Sequence, residues 1–226
     1  MSFDQRSDCR LILNFHGLGK PPQEMPAGEE NYWVDQEFFA AVLDQVRGRQ
    51  DVQITVDDAN ESDCMIALPL LRERRLKASF FLVASRIDQK HFLSSQQIKT
   101  LCAEGMTVGN HGMWHSRWKG MNQPQLQEEL VAARDIIQQF ANMPITEAAC
   151  PFGSYDRGVL QMLRKQGYQR VFTSDGGVAS TAAWMQPRNT IRRCHQLAEI
   201  VSLINAPPGA AKNLWRNFKI ALKSRL

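Results

Sequence analysis

Short apolar runs alternate with longer stretches of helical periodicity through most of this 226-residue chain. Arg10-Leu-Ile-Leu-Asn-Phe-His16 is an apolar run that stops at Gly17-Leu-Gly19 and Pro21-Pro22, the pattern of a buried strand running into a loop. Phe38, Phe39, Val42, Leu43 and Val46 then recur at helical spacing between Asp35, placed to cap the start, and Gly48, placed to end it. Val52 to Val56 predicts a second strand, Ser62 to Arg75 a helix made irregular by Pro69, and Leu76 to Ala84 a third strand. Ser94 with Gln97 forms a capping-box signature for a helix through Glu104. The alternation continues with strands over 105–111, 145–150 and 168–174 and a candidate last strand over 188–192. Between them lie helices over Asn122 to Phe140, with Leu126, Leu130, Ala133, Ile136 and Ile137 on one face, and over Val159 to Gln166.

Repeated β-then-α order argues for parallel strands with helical crossovers, closed as a barrel or open as a doubly wound sheet. Side chains with chemistry recur at one kind of place. His16, Asp57, Asp58, His111, Phe152-Gly153 and Asp175 all follow directly after predicted strands, and in parallel α/β folds the carboxyl ends of the strands are where ligands bind.

Composition narrows the class. An apolar fraction of 43% and a charged fraction of 22% suit one ordinary globular core, and no run reaches membrane-spanning length. Cys9, Cys64, Cys102, Cys150 and Cys194 are scattered without a CxxC pair, so reduced thiols are expected. The start of the chain has neither the basic end nor the apolar stretch of a secretory signal; taken as a whole protein, it is expected in the cytoplasm. The net charge of +4 is modest, and no nucleic-acid partner is expected.

Two adjacent carboxylates at the end of a β-branched strand, Asp57 and Asp58, are costly to bury unless a metal ion or a shared proton relieves them. His111-Gly-Met-Trp-His115 sets two imidazoles four residues apart, close enough to share a metal. With Asp58 they make a set of two histidines and one carboxylate, with positions left for water and substrate. Asp57, beside the ligand, could take the proton of water in a metal-assisted hydrolysis of an acyl bond.

These residues resemble the polysaccharide deacetylases of carbohydrate esterase family four. Thr55-Val-Asp-Asp-Ala59 is similar to the family's Thr-Phe-Asp-Asp-Gly motif, His111 to His115 to its His-Ser/Thr-x-x-His motif, and Ala149-Cys-Pro-Phe-Gly153 to its Arg-x-Pro-Tyr/Phe-Gly motif. The resemblance covers roughly residues 10 to 195. It implies a distorted parallel (β/α) barrel of about seven strands, related to the TIM barrel, and removal of acetyl groups from an N- or O-acetylated saccharide or lipid-linked precursor. It assigns Asp57 as base, Asp58, His111 and His115 as ligands of one divalent ion, with zinc expected and cobalt or nickel as alternatives, and the Phe152 amide as oxyanion donor. Asp175 matches the fourth motif without its arginine partner, and Trp114 and Trp118, near the histidine pair, are read either as stacking on sugar faces or as covering the barrel rim.

Three departures accompany the match. Ala149 stands where the family has the arginine that orients the base, Ala59 replaces the motif glycine, and no Leu-x-His supplies the catalytic acid near the C-terminus. His16, at a strand end, is the preferred acid over His195. Together these describe a subgroup in which something other than residue 149 must hold Asp57. Two rival readings share the fold: hydrolysis of another non-peptide carbon–nitrogen amide, and a carbohydrate-binding protein without turnover.

The barrel is expected over residues 1–206, followed after Pro207-Pro208-Gly209 by a basic amphipathic helix. There Leu214, Trp215, Phe218, Ala221 and Leu222 oppose Lys212, Arg216, Lys219 and Lys223. It is read either as a last helix packed on the barrel or as a peripheral contact with the inner membrane surface.

Overall fold

The computed structural model describes residues 8–24 and 28–206; the helix expected over 207–226 lies outside the described residues. Six parallel strands follow one another around the sheet: β1 Cys9–Phe15, β2 Val52–Asp57, β3 Ala78–Leu82, β4 Thr107–Asn110, β5 Glu147–Ala149 and β6 Arg170–Thr173. β7 Val178–Ser180 lies antiparallel on the early part of β1, an element with no clear signal in so short a run. One further extended stretch then closes the ring. Its first part, β8 Met185–Pro187, pairs with β6, and its second, β9 Asn189–Thr190, pairs with β1. The result is a nearly closed, mostly parallel barrel with seven parallel staves, and Arg188 sits at the joint of the last one.

Strand parity sorts the side chains. Leu11, Leu13 and Phe15 face the helices with Ile54, Val56, Phe80 and Leu82, while Ile12, Phe81, Ala149, Phe172 and Ala179 fill the barrel. Helices α1 Gln36–Val46, α2 Leu68–Glu73 and α3 Ser95–Ala103 wrap this core, and Phe39 of α1 meets Phe15 edge-on at 4.9 Å. Asp35 occupies the N-cap of α1 but its side chain makes no capping bond, whereas Ser94 and Gln97 form the expected reciprocal box on α3. Pro69 does not kink a helix. It sits in the first turn of α2, where a missing N–H costs little, after a wide π-turn over Asp63–Ala67.

The helix expected over Asn122 to Phe140 is a helical run, α4 Gln123–Gln127 and α5 Ala133–Ala141, joined through a second π-turn at Glu128–Ala132. Such an insertion rotates side chains relative to regular helical spacing, and here it accompanies a buried carboxylate, Glu129, used below. α6 Arg157–Lys165 and α7 Leu197–Asn205 complete the wrap. No helix among the described residues is long and apolar enough to cross a membrane.

Candidate active site

Backbone hydrogen bonds continue past the strand ends and fix the rim that carries the polar residues. Asp58 N donates to Phe81 O at 3.1 Å, His111 N to Leu82 O at 2.8 Å, Cys150 N to Phe172 O at 2.9 Å, and Arg188 N to Thr173 O at 2.9 Å. A cavity of about 280 Å³ opens at this rim, at the lower end of small-ligand pockets. His16, Asp57, Asp58, His111, His115 and Phe152 all line it.

Asp58, His111 and His115 each offer a ligand atom within 4.8 Å of the others. His111 Nδ1 lies 2.9 Å from Ala149 O, so that nitrogen donates to a carbonyl and leaves the Nε2 lone pair facing Asp58 Oδ1 at 3.6 Å. An imidazole anchored on backbone through its other nitrogen is the usual arrangement of a metal-ligating histidine. Asp58 Oδ1 is buried and makes no hydrogen bond, although His115 Nε2 is only 3.1 Å away. A buried carboxylate oxygen left without a hydrogen bond between two imidazoles fits a cation. Arg86 donates to Asp58 O at 3.3 Å and lies 3.3 Å from His115 Nδ1.

Protonation suits the same role. Burial holds His111 down to about 4, against the pull of Asp57, and burial likewise lowers His115. Burial pushes Asp58 up, but the surrounding imidazoles and Arg86 outweigh it and keep the carboxyl below its usual range. At neutral pH the trio is therefore one carboxylate and two neutral imidazoles.

The backbone is bent to present these groups. Asp58 has φ 86° and Ala59 φ 60°, so the alanine at the motif glycine position keeps the left-handed conformation that glycine adopts freely. Gly112 has φ 89°, and a Cβ on it would come within 2.3 Å of Glu129 Oε2. Glu129 reaches from the π-turn into the loop, accepting from Met113 N at 2.8 Å, Trp114 N at 3.3 Å and Trp118 Nε1 at 3.2 Å. The loop that carries both histidines is thus tied to a carboxylate that the pattern of α4 and α5 hid on an apparently regular helix. Glu129→Gln puts an amide donor against these N–H groups and is expected to cost about 1–3 kcal/mol. Divalent-metal affinity should fall about 10- to 100-fold, as when other supporting groups around metal ligands are removed. Thermal melting and metal titration check both, and unchanged affinity would refute the anchoring role.

Asp57 is held by a different set of residues. Arg188 donates to both its oxygens, Nη1 to Oδ1 at 2.7 Å and Nη2 to Oδ2 at 2.8 Å, and Asn14 Nδ2 donates to Oδ2 at 3.0 Å. Asn14 Oδ1 accepts in turn from Arg188 Nη1 at 2.8 Å and from Thr55 Oγ1 at 2.6 Å. Burial pushes Asp57 up, but Arg188, His111 and His16 together hold it well below the usual carboxylate range. Arg188 is 1% exposed and its guanidinium lies over the rings of Phe81 and Phe172, the partners of Ala149 inside the barrel. Position 149 is an alanine, and the arginine that clamps Asp57 arrives instead from the closing strand.

Of the acid candidates, His16 lines the cavity with Nε2 3.9 Å from Asp57 Oδ2 and a buried Nδ1 that makes no hydrogen bond. His195 lines a neighbouring groove and accepts from Arg192 N at 2.9 Å. Phe152 has φ 57° and stacks on His115 at 4.5 Å. Asp175 accepts from the Tyr155 hydroxyl at 2.8 Å and lies in the neighbouring groove instead of the cavity. Trp114 is exposed with its Nε1 on Glu128, away from the cavity wall, and Trp118 is fully buried; it cannot stack on a sugar as the sequence suggested.

Residues 44–171 match the family profile described as polysaccharide deacetylase, more than half of the chain. The chain belongs to the polysaccharide deacetylase family. It is 28% identical over 141 residues to YxkH of Bacillus subtilis, covering 62% of this chain and 50% of that one. It is 26% identical over 124 residues to the peptidoglycan-N-acetylglucosamine deacetylase of Bacillus cereus, covering 54% and 56%. The chain thus spans about half the length of these curated relatives. The fold resembles that of the Streptococcus pyogenes deacetylase PplD with a TM-score of 0.77, at 19% identity, over 86% of this chain and 97% of that one.

Proposed function

We propose that this family member is a metal-dependent hydrolase that removes acetyl groups from an N-acetylated saccharide, with O-acetylated and lipid-linked saccharides as further candidates. The observation that carries the reading is the division of labour between adjacent carboxylates: Asp57 is committed to Arg188 and Asn14, while Asp58 points an unbonded oxygen at two imidazoles. Asp58, His111 and His115 would hold one divalent ion, for which zinc suits the nitrogen-rich donor set, with cobalt or nickel as alternatives. When bound, that ion supplies Lewis acidity toward the acetyl carbonyl and makes water more acidic.

The protein's own residues supply the proton traffic. Asp57, ionised and clamped, takes a proton as the water oxygen bonds to the acetyl carbon. The Phe152 amide, at the rim beside His115, is the candidate donor to the developing oxyanion. His16, on the cavity wall with Nε2 3.9 Å from Asp57 Oδ2, gives a proton to the departing nitrogen as the carbon–nitrogen bond breaks, leaving acetate and a free amine. The clamp on Asp57 counts against a carbohydrate-binding protein without turnover, because a binding site needs no base.

Protein stripped and reconstituted with zinc, cobalt or nickel should release acetate from N-acetylated oligosaccharides. Chelation or Asp58→Ala should abolish release. Retention of full activity in metal-free protein would refute the reading.

A further inference from the structure

Two stacks of side chains contribute to the cavity wall. On the ligand side, Phe152 lies 4.5 Å from the His115 ring and Arg117 lies 4.6 Å above Phe152. In the other stack, Tyr32 lies 5.0 Å from the His16 ring and Arg192 lies 4.9 Å above Tyr32. Each stack therefore runs from a working imidazole through an aromatic ring to a guanidinium, and both guanidinium groups belong to residues of the cavity wall. Stacking orders the two side chains in advance, which lowers the entropy lost when they bind something.

Beyond its aromatic ring, neither arginine has a charged partner among the described residues. No carboxylate among the described residues lies within 4.0 Å of Arg117 or Arg192. With Asp57 matched by Arg188 and Asp58 facing the two imidazoles, Glu29 is the only other carboxylate among the described residues of the cavity wall. Two exposed, pre-ordered guanidinium groups at the mouth of a small pocket suit an oxyanion, which accepts their fork of N–H donors through short charge-assisted bonds.

We propose that the substrate is an acidic saccharide, one whose acetylated unit or its immediate neighbour carries a carboxylate or a phosphate, and that Arg117 and Arg192 recognise that group. The inference rests on the deacetylase reading for the chemistry but has its own test. Binding to zinc-reconstituted full-length protein is measured by calorimetry or competition for three probes: a neutral N-acetylglucosamine trisaccharide, a trisaccharide of the same length in which N-acetylglucosamine alternates with glucuronate, and N-acetylglucosamine 1-phosphate. At low salt at least one acidic probe should bind about tenfold or more tightly than the neutral one, the scale of a charge-assisted hydrogen bond. The preference should shrink as ionic strength rises.

Arg117→Gln with Arg192→Gln should bring the acidic-to-neutral ratio close to one. The preferred probe tells a uronic acid from a sugar phosphate, and either supports the proposal. Equal binding of neutral and acidic probes overturns it. So does a preference that survives the double substitution, since that places the anion elsewhere, for example on the metal. Acetate release is followed in the same samples: its absence from every saccharide counts against the hydrolase reading alone, while the affinity ratio still decides the anion site.

Discussion

Arg188→Met is expected to lower kcat/KM for acetate release by about a hundredfold or more and to destabilise the fold by about 3–5 kcal/mol. The stability loss follows because the substitution leaves Asp57, 1% exposed, as a buried charge without its bidentate partner. The catalytic loss follows because a base displaced by even an ångström from the attacking water forfeits most of its value. Methionine keeps much of the arginine's volume between Phe81 and Phe172, so a packing defect is a minor contributor.

A second pair of variants separates this account from generic core damage. Ala149→Arg alone inserts a second guanidinium among Ile12, Phe81, Phe172 and Ala179 and should destabilise by about 3–5 kcal/mol, as a buried charge whose natural partner Asp57 is already taken by Arg188. In the Arg188→Met background the same substitution should recover part of both stability and activity, because position 149 borders the same interior rings. Wild-type turnover and melting in Arg188→Met would refute the role of the arginine.

The exchange between positions 149 and 188 also shows what the sequence discloses and what it hides. The parallel alternation, the rim position of His16, Asp57, Asp58 and His111, and the histidine spacing are local patterns, and all can be read from short windows. Arg188 is different. It opens a candidate strand, but its partner is 131 residues away, and only closure of the ring through β8 and β9 brings the two together. A polar signal did exist on the other side: Asn14 interrupts an otherwise apolar strand, and it proves to bridge Asp57, Thr55 and Arg188. Glu129 was hidden by another mechanism, since a π-turn shifts the face on which a residue emerges and defeats a regular helical count. Trp118 looked accessible because of its neighbours in sequence, yet the Glu129 carboxylate draws its indole inward.

The two adjacent aspartates should fail in opposite ways. Asp57→Asn removes the proposed base while leaving Asp58, His111 and His115 in place, so kcat should fall about 10²- to 10⁴-fold, with one divalent ion still bound per chain. Stability should also fall, because Arg188 then faces a neutral amide in a buried setting. Asp58→Asn keeps the Asp57–Arg188 clamp but exchanges the anionic ligand for a neutral one, so metal affinity should drop steeply and activity should return in part at high metal concentration. Metal-free Asp58→Asn should melt somewhat lower than the metal-free wild type, because the imidazoles and Arg86, 3.7 Å from Asp58 Oδ1, favour the ionised carboxylate in the folded protein. Metal titration by calorimetry, melting without metal and initial rates across metal concentration give the full contrast. If Asp57→Asn lost the ion as completely as Asp58→Asn, the division into base and ligand would be wrong, and the pair would have to be treated as a joint metal ligand.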